Sequence, residues 1–290
     1  MRIAPSSLQA KRRFKIAERA RWQFTLPPLS AWLLRGGDFD PNDAALLSQQ
    51  IGANSKLRST IMRWFNSPVY NWSRPFESVH QAGMVIDPQH QVRIAFLADI
   101  GGLVDGHARV GSYNRRDHWR HCIGVGAAAS LLSRMTGKGN FLDALIAGTL
   151  HDFGIMIAEL LVPTRFRRWI EEIDLGIPPD ACAEATIEAK PGELAAIVLA
   201  QWGLGEKVLL PVRNHQNISE IEAPPHILET ICCVRAAKAI CCRLHCQSSI
   251  LQSIDDCDGE VLEHLALRRG GMRMAEIGVA SLIQACAKIC

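Results

Sequence analysis

Residues 141–162 read FLDALIAGTLHDFGIMIAELLV. Apart from Asp143, the His151-Asp152 doublet and Glu159, the run is apolar or small, and Pro163 ends it. The pattern predicts one long apolar helix, Phe141 to Val162, with Asn140 as its N-cap and Asp143 near the positive end of the dipole. A His-Asp doublet in so apolar a setting is costly to bury unpaired. Adjacent helical residues point about 100° apart. Both reach one metal ion only if it sits between their directions and other helices supply further ligands. His121, on a predicted helix Asp117–Met135, and His215, at the end of a predicted helix Glu206–His215, are the candidate partners. His118, one turn from His121, reads as polar surface. Histidine and carboxylate ligation suits Zn, Mn or Fe. Such an ion lowers the pKa of a bound water for phosphoester hydrolysis. The competing reading of each lone histidine is a hydrogen-bonded core residue.

Outward from this stretch the chain reads as helix after helix, an all-α fold. Before it come Leu29–Arg35, Asn42–Ile51, Ser55–Phe65, a helix starting near Pro75, and Gln89–Ala98. After it come Thr164–Ile173, Pro179–Ala189, Pro191–Trp202, Glu206–His215, His226–Cys246, Gly259–Arg268 and Met274–Cys290. In Asp117–Met135 the small residues from Gly124 to Ala129 let another helix approach closely. The Gly-rich stretch Gly101–Gly111 divides a smaller N-terminal helical subdomain from a larger bundle, and Asp255–Gly259 sets off the tail. Trp32, Trp64, Trp72, Trp169 and Trp202 read as core anchors. Arg165, Arg167 and Arg168 read as a solvated face.

The 290 residues are 48% hydrophobic and 21% charged, which excludes disordered and low-complexity classes. Mean hydropathy is high at +0.05. No uninterrupted apolar run nears the ~18 residues of a membrane helix, Ile123–Leu132 being the nearest. The net charge of +3 hides an asymmetry. Residues 1–25 carry seven basic side chains against Glu18 alone, a net of +6, so the rest sums to −3. The basic arm (1–23) lacks a secretory leader. It is either a solvated terminus or a contact for nucleic acid or an anionic membrane. Ten cysteines without a CxxC spacing read as thiols packed in a reducing, cytoplasmic setting. GxGxxG, P-loop, GxSxG and HExxH patterns are missing from the sequence.

Several motifs, in order, resemble one family. Trp119-Arg120-His121-Cys122, the run Phe141 to Gly154 and Leu160-Leu161-Val162-Pro163 are similar to the HDOD domain, a bacterial output module related to the HD phosphohydrolases. Leu26-Pro27-Pro28-Leu29, the helix from Leu57 to Asn66-Ser67, Gln81-Ala82 and Trp202-Gly203-Leu204 resemble further marks of that family. The resemblance covers about residues 24–240, split into parts 24–105 and 112–240, and leaves 241–290 as a helical extension. It implies an HD-like multi-helix bundle. HD phosphohydrolases hold metal with a first His, the His-Asp doublet and a distant Asp. His121, His151 and Asp152 fall on the first three positions. The distant Asp falls on Arg235, a further family histidine falls on Pro191, and a His-His pair becomes His215-Gln216.

A guanidinium in place of a carboxylate repels a divalent ion, so the resemblance implies a vestigial or weak metal site with no resident cofactor. Arg235 is then expected to pair with Asp152 as a cationic stand-in for a metal. The leading functional reading is a bacterial regulatory protein in signal transduction, acting through signalling partners or as a homo-oligomer, with a degenerate, non-catalytic site. The alternative is a metal-dependent phosphohydrolase that uses His121, His151 and Asp152 on a nucleotide or phosphodiester.

Overall fold

In the computed structural model the described residues are 18–20 and 25–286, except 37, 68, 71, 219–220, 247–249 and 251–258. Most of the basic arm and most of the Asp255–Gly259 boundary lie outside them. Local chemistry sets most helix starts. Proline opens Pro28–Leu33 (α1), Pro88–Leu103 (α5), Pro163–Asp174 (α9), Pro179–Thr186 (α10), Pro191–Gln201 (α11) and Pro225–Arg243 (α13). Its missing N–H costs nothing there, because the first turn has no intrahelical acceptor. Other starts are capped by side chains. Asn54 accepts from Leu57 N at the head of Ser55–Phe65 (α3), and Ser78 accepts from Gln81 N at Val79–Gly83 (α4). Asn114 caps Arg115–Thr136 (α6), and Asn140 accepts from Leu142 N and Asp143 N to open Phe141–Leu150 (α7).

The N-terminal part packs around α5. A 3-10 turn Pro41–Leu46 leads into Leu47–Ile51 (α2), and α1, this turn and α3 all lie against α5. Gly101 and Gly102 fall inside α5, which continues to Leu103 rather than ending near Ala98. A short antiparallel hairpin, Arg109–Val110 (β1) and Tyr113–Asn114 (β2), leads into α6. The second part is built on α6. Against it pack α7, α13 and the C-terminal helix Arg269–Cys286 (α15). Phe153–Leu161 (α8) packs on α11, and Glu206–Asn214 (α12) lies between α7 and α13. A short helix Gly259–His264 (α14) rests on α13. One hydrophobic cluster runs through both parts, from Ala20 to Leu282.

The predicted Phe141–Val162 helix is two helices. It breaks at His151-Asp152, where Asp152 adopts φ −110° and ψ 19°. The Gly148 carbonyl, which a continuous helix would offer to the Asp152 amide, accepts the His151 Nδ1–H at 2.7 Å. Side-chain competition of this kind weakens the helical ladder. The segment Phe141–Leu161 also corrects the reading of apolar runs. By length and composition it suffices to cross a membrane, yet 94% of its most apolar window is buried within the protein. It is therefore read as a core element. Trp64, Trp169 and Trp202 are buried, but Trp72 is 36% exposed and stacks on Tyr70.

Two features hold the bundle in register. The α6–α7 crossing is glycine on glycine. A Cβ on Gly126 would lie 2.1 Å from Thr149 Oγ1, and one on Gly148 would lie 2.8 Å from Gly126 Cα. The small-residue stretch does allow the close approach expected of it. The hairpin is tied to α8 by Glu159, whose carboxylate accepts Tyr113 OH at 2.9 Å and Arg115 Nε and Nη2 at 2.8 and 2.5 Å.

Gly126→Ala is expected to lower the unfolding free energy by about 2 kcal/mol or more, because the backbones must separate. Gly102→Ala, whose Cβ meets nothing within 4 Å, should leave it unchanged or raise it by up to ~1 kcal/mol. Urea denaturation followed by circular dichroism compares the two. By the same measurement Arg115→Met should cost about 3 kcal/mol, since it strands Glu159 without its charge partner.

Candidate functional site

Four parts of the bundle meet at one buried point. α6 supplies His118 and His121, the break between α7 and α8 supplies His151 and Asp152, the end of α12 supplies His215, and the middle of α13 supplies Lys238. The four histidines and Asp152 are 0% exposed and Lys238 is 2% exposed. The helix break matters here. On an unbroken helix His151 and Asp152 would diverge, whereas His151 Nε2 lies 2.9 Å from Asp152 Oδ2.

Backbone carbonyls set the orientation of three rings. His121 Nδ1 meets Cys246 O at 2.6 Å, His151 Nδ1 meets Gly148 O at 2.7 Å, and His215 Nδ1 meets Val212 O at 2.9 Å. A carbonyl only accepts, so in each neutral ring Nδ1 carries the proton and Nε2 keeps a bare lone pair. The rings stand edge to face, with centroids 5.3 Å apart for His121 and His151 and 5.0 Å apart for His151 and His215. His118 has the opposite tautomer. Its Nε2–H donates to the Asp152 main-chain oxygen at 3.2 Å. The expectation that His118 is polar surface is corrected: it is a buried prop behind Asp152.

The cation of the cluster is Lys238. Its Nζ donates to Asp152 Oδ2 at 2.9 Å and to His215 Nε2 at 3.3 Å. Arg235, where the sequence reading placed this charge, is half-buried one turn earlier on α13. The correction is one of register. No motif anchors the link between α12 and α13, so position alone did not say which residue of α13 faces the His151-Asp152 corner. A signal was present, because Lys238 interrupts Ala236-Ala237 and Ala239-Ile240 on a buried helix. Such a lysine needs an acidic partner.

Burial dominates the electrostatics of the rings. It lowers the pKa of His118, His121 and His215, and it brings His151 down to about 4 against the opposing pull of Asp152. Burial alone would raise Asp152, but His151 and the Lys238 charge outweigh it and hold the carboxylate well below its usual range. The cluster is therefore one anion, one cation and neutral imidazoles, with no net charge.

Two observations bear on a metal. His121, His151 and Asp152 offer donor atoms within 4.8 Å of one another, a group that can hold an ion. Among the described residues His121 Nε2, His151 Nε2 and Asp152 Oδ1 also have no hydrogen-bond partner. Rings locked through Nδ1 to carbonyls with Nε2 presented inward are the usual second shell of a metal site. Against this, the Lys238 ammonium already sits on the ligand carboxylate, and a second carboxylate is missing from the group. His215 lies 3.4 Å from Asp152 Oδ1 but has its lone pair directed at Lys238.

Among the described residues the cysteines pack in or beside the core, and the thiols of Cys182 and Cys233 contact the main-chain carbonyls of Pro178, Pro179 and Lys138. Cys122, Cys182, Cys232, Cys233, Cys241, Cys242 and Cys246 are in no disulfide. Burial raises the Cys246 thiol to about 11, which leaves it a poor nucleophile. Its main-chain oxygen orients His121.

Known proteins share this architecture. Among curated proteins none matches the chain. An HDOD domain protein of unknown function from Geobacter sulfurreducens superposes with a TM-score of 0.73 at 20% identity, covering 95% of this chain and 97% of that one. A protein from Marinobacter aquaeolei VT8, provisionally named a signal transduction protein, gives 0.72 at 18% identity over 99% of this chain and 67% of its own. A protein from Shewanella amazonensis SB2B, provisionally named a phosphohydrolase, gives 0.75 at 14% identity over 96% and 97%. At these identities the likeness establishes the HD-like helical fold. The HDOD domain model matches residues 24–218, a span that contains His121, His151, Asp152 and His215. The chain belongs to the HDOD domain family.

Proposed function

We propose that this chain is a signal-transduction module in which a lysine has taken over the structural role of a metal ion, and that it acts through protein partners without catalysing hydrolysis. The observation that carries the reading is the Lys238–Asp152 contact at 2.9 Å inside a fully buried cluster. A divalent ion about 5 Å from that ammonium is repelled by several kcal/mol at an effective dielectric of roughly 20. One carboxylate cannot offset both cations. The bound water needed for metal-assisted hydrolysis is therefore not activated here. What remains is a neutral, internally paired site that ties α6, α7, α8, α12 and α13 together. A fold related to hydrolases does not bring their chemistry with it.

A second reading keeps a specific observation. The unpartnered Nε2 atoms of His121 and His151 and Oδ1 of Asp152 face a common point, as ligands of a hydrolytic metal would. In that reading these three residues bind the ion, and the ion supplies an activated water. Phosphodiester hydrolysis assayed with Mn and Fe, comparing wild type with Asp152→Ala, separates the two. Activity that depends on Asp152 establishes the enzyme, and no turnover supports the module.

Two further outcomes are expected. Lys238→Met should cost about 3–5 kcal/mol of stability in urea denaturation, because it strands a buried carboxylate. Lys238→Asp should convert the cluster into a two-carboxylate site whose thermal unfolding midpoint rises on addition of Mn or Zn. The wild-type midpoint should not change on treatment with a chelator. A stoichiometric ion in wild-type protein purified without added metal would overturn the proposal.

A further inference from the structure

Two groups of exposed apolar side chains lie on the surface, one in each part of the fold, and neither includes a residue of the histidine cluster. The first borders a groove of about 470 Å³ between the 3-10 turn, the start of α2, α4 and the start of α5. Pro41, Ala44, Ala45, Val79, Met84 and Pro88 give it an apolar lining, and no carboxylate, lysine or arginine belongs to that lining. Met84 is 70% exposed, and the next residue, Val85, is exposed too. The groove is preformed. Gln91 Nε2 donates to Gly83 O at 3.1 Å and to Ile86 O at 2.7 Å, which pins the corner between α4 and α5. The rim is acidic. Asp40 and Asp87, the caps next to Pro41 and Pro88, are exposed and form no ion pair among the described residues. The Arg35 guanidinium is spent on Asp43.

The second group lies on α15. Met272, Ala275, Val279 and Leu282 are buried, while Met274 and Ile277, each 62% exposed, lie on the other face. An ordinary surface helix is polar there. A Cβ on Gly124 would lie 3.8 Å from Ile283 Cγ1, and one on Gly278 would lie 3.0 Å from Leu131 Cδ2. α15 therefore runs antiparallel to α6, which brings Met135, exposed near the end of α6, to the level of Met274. This patch is edged by a cation. Arg273 is exposed, stands one turn from Ile277 and has no ion-pair partner among the described residues, while Glu276 is paired with Arg243. Exposed apolar groups of this kind mark contact sites. A helix with an apolar and basic face fits an apolar groove with an acidic rim.

We propose that the groove of one copy of this chain holds α15 of a second copy. Met274 and Ile277 enter the groove beside Met84, and Arg273 meets Asp87 at its rim. The volume leaves room for two large aliphatic side chains. Groove and helix are different surfaces of one chain, so the contact is head-to-tail, and copies join into a ring or a longer row. Two small patches and a single rim ion pair put the association at the weak end of specific interfaces.

Sedimentation velocity of the full chain over a range of concentrations tests this. The weight-average mass should rise with concentration and fall back on addition of salt. Met84→Asp and Ile277→Asp, both at exposed positions, should each weaken association by about tenfold or more. Leu175→Asp, at a position 83% exposed and in neither patch, should leave it unchanged. Asp87→Lys and Arg273→Glu should each weaken it as well. An equimolar mixture of those two variants should associate again, because each groove then faces a helix of opposite charge. Misfolding of either variant does not produce that recovery. The proposal is overturned if the wild-type chain stays monomeric at every concentration, which leaves the groove to a basic helix of another protein. It is equally overturned if association survives Met84→Asp and Ile277→Asp, if Leu175→Asp weakens it as much, or if the mixture stays dissociated. Neither metal content nor the role of Lys238 affects the outcome.

Discussion

A buried ammonium on a buried carboxylate organises the centre of this bundle. Lys238 and Asp152 are each almost wholly removed from water and lie 2.9 Å apart. Neither charge is tolerable alone at that depth; Lys238 spends one donor on Asp152 Oδ2 and another on His215 Nε2, which offsets part of the cost of burying the two. The pair therefore couples α13 to the corner between α7 and α8. Through His215 it also reaches the end of α12. The interior of this bundle is not a purely apolar packing problem, since its arrangement must bring one anion and one cation together.

The rings around that pair are arranged by main-chain geometry. Three carbonyls, those of Gly148, Val212 and Cys246, choose the proton position on three imidazoles. The Nε2 lone pairs then converge on the centre. Rings held in this way can also serve a metal ion, and here they stand beside an internal cation. Each ring is satisfied on its Nδ1 side by a carbonyl of the fold itself.

Much of the bundle was legible in the residues. Prolines and the Asn140 cap marked helix starts, and the small residues from Gly124 to Ala129 foretold a close crossing, realised between Gly126 and Gly148. The histidines His121, His151 and His215 and the carboxylate Asp152 were picked out as candidates and do meet. The break at His151-Asp152 was not legible, because periodicity sees an unbroken apolar run, while the break comes from a side chain taking a backbone acceptor. Lys238 left a signal, a lysine set between Ala236-Ala237 and Ala239-Ile240, but its partner was not legible. Its role depends on which face of α13 turns inward, and a loop of unconstrained length precedes that helix.

The order of residues was thus enough to establish an all-helical chain, its family, and the residue types gathered at its centre. Those follow from local propensity, capping and motif order, which act over a few residues. Three outcomes arise only when the helices pack: which cation meets Asp152, which nitrogen of each ring is left bare, and the burial of His118. They depend on distances between groups far apart along the chain, such as the 86 residues that separate Asp152 from Lys238. Electrostatics falls off with distance in space and takes no account of separation along the sequence.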